Sequence, residues 1–122
     1  MKDKEKFSIG KRIKSFTYAF KGLGIMFKTE HNSRIHLVAT IGVIIAGILF
    51  HISASEWCAI LLCIGMVIGM EAVNSSIETL ADRITRENDP LIGKAKDLSA
   101  AAVLVVALIS VGVACFIFIP KF

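Results

Sequence analysis

From Leu98 to Ile119 the chain runs without one charged side chain. A helix over that stretch is long enough to cross the hydrocarbon core of a bilayer, which takes about 20 residues. Two further stretches ask for the same environment, Ile35 to Ile52 and the run that starts at Trp57. A chain of 122 residues with three such segments has little length left for a soluble core. With 55% apolar residues and a mean hydropathy of +0.70, lipid is the solvent it suits. The expected fold is an all-α integral membrane protein in one domain over 1–122, with three transmembrane helices behind an N-terminal amphipathic surface helix.

Local signals mark the boundaries. The second run is apolar for 14 residues, Trp57 to Met70, then meets Glu71 with no helix breaker until well past Asp82. One helix over about 56–84 should therefore carry the span out into the interface. Ser53-Ala54-Ser55-Glu56 has the spacing of a capping box, in which the Ser hydroxyl takes an orphan amide and the Glu reaches back. Asp89-Pro90 places an N-cap side chain before a proline that the first turn tolerates, so the third span should cover about 90–119.

Ahead of the first span, set at about 35–52, Ile9, Ile13, Phe16, Phe20, Leu23 and Phe27 recur at helical steps. Lys14, Lys21 and Lys28 lie on another face. A helix over about 7–28 with this pattern can lie along a membrane surface or pack its stripe on a partner, and in an oligomer it can do both. The first 34 residues hold nine bases against three acids. Together with the loop carrying Arg83, Arg86, Lys94 and Lys96 they account for 13 of the 14 Lys and Arg, whereas the loop from His51 to Glu56 has none. Basic loops stay in the cytoplasm, which puts the N-terminus inside and the C-terminus outside. The first long apolar stretch starts too late for a cleavable signal peptide, so the N-terminal segment is expected to stay. Cys58, Cys63 and Cys115 lie in apolar runs without metal or redox spacing and read as reduced packing residues.

The chemistry concentrates where the second span leaves the membrane. Glu71, Asn74, Ser75, Glu78 and Asp82 fall within a sector of roughly 100° on one helix. Carboxylates at that depth are costly unless paired, protonated or metal-bound. A solvated helix end accounts for Glu87 and Asp89, while for Asp82 beside Arg83 the solvated and functional readings stand level. It fits Glu71 poorly, because Glu71 directly follows the apolar run. Carboxylates with an Asn suit a hard cation such as Mg²⁺, usually held by one or two protein carboxylates while substrate phosphates complete the shell. Lys96, Asp97 and the basic N-terminal helix could hold those phosphates. Phosphoryl transfer needs this charge neutralisation plus one carboxylate for the proton of the attacking hydroxyl. No GxxxxGK[ST] or GxGxxG loop occurs, so any ATP site must be built from helix side chains.

The run Glu71-Ala72-Val73-Asn74-Ser75-Ser76-Ile77-Glu78, then Asp82-Arg83, then Ala95-Lys96-Asp97 with Ala100 to Val103, resembles the signature of the prokaryotic diacylglycerol kinase family, which includes undecaprenol kinases. The likeness reaches back through Phe20-Lys21-Gly22-Leu23 and Glu30-His31-Asn32-Ser33-Arg34-Ile35-His36, and so covers nearly the whole chain.

The resemblance implies a kinase of the bacterial cytoplasmic membrane that moves the γ-phosphoryl of MgATP to the hydroxyl of diacylglycerol or undecaprenol. It implies a homotrimer with composite active sites, and no nucleic-acid partner. By the same resemblance Glu71 is the general base, Glu30 and Glu78 hold the metal and can meet across chains, and Asn74 stands beside them. Lys96 and Asp97 are implied nucleotide contacts, approached by Lys11 and Tyr18 from the N-terminal helix. Asn32, Arg34 and His36 fall on the lipid side, where interfacial anchoring is the plainer reading for the histidines. Asn88-Asp89 replaces a Tyr-His pair common in the family, and the Arg34-Ile35-His36 ending reads like the undecaprenol kinase branch.

Weaker features have ordinary explanations. Gly65 and Gly69 form a GxxxG that suits close helix packing, and Trp57 suits an interfacial belt. Two rivals from other classes stand beside the kinase reading. A small proton-coupled transporter would favour a carboxylate near the midplane, and a pore-forming assembly would pair the acidic face with the basic helix.

Overall fold

The computed structural model describes residues 8–122, which are helical almost throughout and include no strand. Phe7, at the expected start of the surface helix, lies outside the described residues. Four helices follow one another: α1 Ile9–Thr29, α2 His31–Leu49, α3 Ala54–Ile84 and α4 Pro90–Phe118, with a final 3-10 turn at Ile119–Lys121.

Short polar devices set the helix ends. Ser8 caps α1 by accepting from the Lys11 amide at 3.4 Å. A single extended residue, Glu30, separates α1 from α2. Arg34 ties this corner: its Nε donates to the Phe27 carbonyl at 3.0 Å and its guanidinium also reaches the Lys28 carbonyl, two of the acceptors a helix end leaves unsatisfied. The capping box at α3 has both halves, Glu56 N–H to Ser53 Oγ at 3.2 Å and Ser53 N–H to Glu56 Oε1 at 2.9 Å. Asp89 caps α4 through the amides of Leu91 and Ile92, with Pro90 in the first turn.

The end of α2 differs from expectation. The helix stops at Leu49, not Ile52, because His51 takes the left-handed conformation (φ 50°). The Ile52 amide then bonds back to the Gly47 carbonyl at 3.2 Å and the His51 amide to the Ile48 carbonyl at 3.3 Å, a Schellman closure built on a residue other than glycine. At its other end α2 starts at His31, about a turn ahead of Ile35.

Helix α4 returns antiparallel along α3, pinned at one end by Lys121 and Glu56 (3.4 Å) and at the other by Lys96 and Asp82 (2.6 Å). The core lies toward the α2–α3 turn. There Ile52, Ile60 and Ile117 are buried, Val43, Trp57 and Phe118 pack on them, and Phe50 meets Phe118 and Phe122 edge to face. The outward sides stay apolar and exposed, with Ile35, Val38, Ile41, Ile45 and Ile48 on α2 and Leu104, Leu108 and Val111 on α4. Among the described residues three helices are long and apolar enough to cross a membrane, and α3, at 31 residues or about 46 Å, outruns a ~30 Å hydrocarbon core. That surplus, with the α1–α2 corner and the first turns of α4, carries the polar side chains.

Candidate active site

The acidic face of α3 is shared among three neighbours. Glu71 turns to α2, Ser75 to the α1–α2 corner, and Asn74 and Asp82 to α4. Each pairing ties α3 to a neighbouring helix or to the α1–α2 corner and leaves few polar groups unmatched, as burial at this depth demands.

Among the described residues Glu71 is the most enclosed carboxylate, only 4% exposed. Its Oε2 accepts from the Ser33 hydroxyl at 2.6 Å, and Ser33 is itself 1% exposed. Its Oε1 faces His36 Nδ1. The two atoms are in ion-pair reach and closed off from solvent, although their alignment falls short of regular hydrogen-bond geometry. On its other side His36 lines an apolar groove of about 190 Å³ with Thr40, Cys63, Val67, Ala107 and Ser110. A buried carboxylate thus stands one side chain away from a groove that enters the spanning bundle.

Glu30 is half-buried and accepts from the Ser75 hydroxyl, beside a depression of about 460 Å³ that Thr29, Ser76 and Thr79 also line. Glu78 lies exposed one turn along α3 from Ser75. Asn74 Oδ1 accepts from Ser99 Oγ at 2.6 Å, which leaves its amide hydrogens as donors. Lys96 is held by Asp82, and Asp97 beside it is exposed. Lys11 and Tyr18 lie on the exposed stretch of α1, and Asn32 is exposed in the first turn of α2. Arg34, expected on the lipid side, braces the α1–α2 corner. Among the described residues no group of three His, Cys, Asp or Glu side chains is gathered to hold a metal ion.

Two contributors escape a sequence reading. Ser33 is one hydroxyl in a polar stretch, and only its spacing of three from both Glu30 and His36 puts it on their side of α2. Ser99 sits in a segment that reads as free of polar complications, yet it is buried and bonded to Asn74.

A family model described as prokaryotic diacylglycerol kinase matches residues 17–118. The undecaprenol kinase of Bacillus subtilis is 40% identical over 109 residues, which cover 89% of this chain and 89% of that protein. The chain belongs to the prokaryotic diacylglycerol kinase family. The diacylglycerol kinases of Escherichia coli K12 (30% identical, 86% of each chain) and Synechocystis (33% identical, 87% of this chain and 61% of that one) are further relatives of this family member. As a prokaryotic diacylglycerol kinase homologue the protein is a lipid kinase of the membrane, an enzyme that requires a nucleotide co-substrate. Membership gives the transporter and pore readings no support.

Proposed function

We propose that this kinase transfers the γ-phosphoryl of MgATP to the primary hydroxyl of a long-chain lipid alcohol, with undecaprenol as the preferred acceptor and diacylglycerol as the alternative. The observation that carries the reading is the enclosure of Glu71, a carboxylate held between Ser33 and His36 at the head of an apolar groove. The name of the Bacillus subtilis relative and the Arg34-Ile35-His36 segment favour the polyprenol.

In this mechanism Glu71 accepts the proton of the lipid hydroxyl as its oxygen attacks the γ-phosphorus, and the leaving oxygen stays on the nucleotide. His36 faces the lipid side of the site, with Asn32 and Arg34 near the headgroup. Lys96 and Asp97 contact the nucleotide, and Lys11 and Tyr18 approach it from α1. Asn74, its oxygen fixed by Ser99, offers amide hydrogens beside the base. Glu30, which accepts from Ser75, and Glu78, one turn along α3 from Ser75, would be the carboxylates to hold Mg²⁺, an ion that takes one or two protein carboxylates and completes its shell with phosphates. Bound there, the ion would supply charge neutralisation on the transferring phosphoryl group.

The assembly is a homotrimer in which Glu30 and Glu78 can come from different chains. It sits in the bacterial cytoplasmic membrane with the N-terminus and active site at the cytoplasmic face, and the apolar stripe of α1 rests on the lipid surface. The deciding test presents the purified protein in mixed micelles with labelled ATP and either undecaprenol or diacylglycerol. Phosphorylated undecaprenol should form faster. Formation of neither phospholipid would reject the proposal.

A further inference from the structure

Hydroxyl side chains in these helices have a usual fate. Ser15, Thr17, Thr29, Thr40, Ser76, Thr79 and Ser110 each donate to the carbonyl four residues back in their own helix. Ser33 departs from this pattern. It lies in the first turn of α2, just past the break at Glu30, and its hydroxyl crosses to Glu71 on α3 at 2.6 Å. It is also the most deeply buried polar residue among those described, at 1% exposure.

Resting on the reading of Glu71 as the base, we propose that Ser33 is a positioning residue for the reaction: its hydroxyl holds Glu71 Oε2, so that the carboxylate is aimed by α2 and not by the rotamers of its own long side chain. A glutamate has three side-chain torsions to order, and one donor at the right place removes much of that freedom before substrate arrives. His36, one turn further along α2, meets the other oxygen, so both contacts come from one rigid segment. The first turn of a helix is also its positive end, which suits a carboxylate there. Among the described residues His36 is the ionisable group paired with Glu71. Lys96 is engaged by Asp82, Arg34 by the α1 carbonyls and Glu30 by Ser75. The break at Glu30 explains why Ser33 is available, since no continuous α-helix runs through that corner.

Steady-state kinetics of Ser33→Ala and Ser33→Thr in micelles test the assignment. Ser33→Ala should lower kcat by about tenfold or more, the weight of one hydrogen bond to a charged group, while KM for MgATP and for the lipid alcohol stay within about twofold. Ser33→Thr, which keeps the hydroxyl, should recover most of that loss. Should the alanine variant fail to fold, Ser33→Cys, close in shape with a weaker donor, should show the same loss in kcat at unchanged KM. A kcat within about twofold of the parent in Ser33→Ala, or in Ser33→Cys where it stands in for the alanine, overturns the inference, as does a loss that the threonine does not relieve. Glu71→Gln separates the two levels: if it is inactive while Ser33→Ala is normal, only the positioning role fails; if it turns over normally, the base assignment and this inference fail together.

Discussion

Lys96 on α4 donates to Asp82 on α3 across 2.6 Å, with both side chains more than a third exposed. An ion pair this open is screened by solvent and contributes little net stability, so it holds the ammonium in place without locking it. If Lys96 serves the nucleotide, a phosphate oxygen can share or replace Asp82 at little cost. Lys96→Met should raise KM for MgATP by about tenfold or more, in line with the loss of a charge-assisted hydrogen bond. Asp82→Asn should leave the melting temperature nearly unchanged. An unaltered KM in Lys96→Met removes the residue from the nucleotide site.

Glu71→Gln keeps the shape of the side chain and removes its capacity to take a proton. Turnover should fall to background while helicity and oligomer size stay those of the parent, because Ser33 can still donate to the amide oxygen. Circular dichroism and sizing in detergent check the second half. Parent-like turnover would take the base role from this residue.

Glu78→Gln removes one negative oxygen donor from an exposed position on α3. Activity should be lost at ordinary Mg²⁺ and partly regained as Mg²⁺ is raised, since a neutral amide is a weaker ligand for a hard cation. A Mg²⁺ titration that superimposes on that of the parent would exclude Glu78 as a ligand.

The helical fold was legible because its signals are local. Three apolar runs, the Ser53–Glu56 box and the Asp89-Pro90 pair each act within a few residues, and the capped ends of α3 and α4 follow from them. The end of α2 was not, because its left-handed residue is His51 and not the glycine that ordinarily announces such a turn. In the site, helical spacing puts Glu71, Asn74, Ser75, Glu78 and Asp82 in one sector, but it cannot say which neighbour each one meets. The sector is divided among α2, the Glu30 corner and α4 by tertiary packing. Ser33 and Ser99 become visible only once that packing is known, since a serine in a helix commonly bonds its own backbone.

His51 bears the cost of a left-handed backbone without a glycine's freedom. The Schellman bonds at Ile52 and His51 use backbone atoms alone, so His51→Gly should keep them. The variant should be more stable by about 1 kcal/mol, from relief of strain less the added freedom of the unfolded chain. Thermal or denaturant unfolding in detergent measures it, and a lower midpoint would show that the imidazole makes a contact worth more than the strain.

Gly47 is buried where α2 turns toward α3, and the reason for its lack of a side chain is Trp57. A Cβ there would lie 2.7 Å from Trp57 Cη2, 2.9 Å from Cζ2 and 3.1 Å from Ile52 Cδ1. Trp57 and Ile52 belong to the packed core at this end of the bundle, so the ring cannot simply swing aside. Gly47→Ala should therefore destabilise by about 1–3 kcal/mol, the usual range for forced overpacking. Gly42, also on α2, is the control: a Cβ at that position meets nothing within 4 Å, and Gly42→Ala should be neutral or stabilising by about 0.5–1 kcal/mol through helix propensity. Both variants lie away from Glu71, so kcat at permissive temperature should be unchanged while the two melting temperatures move apart. Equal melting temperatures for the pair would mean that the α2–α3 turn yields to the extra methyl and that Trp57 does not dictate the glycine.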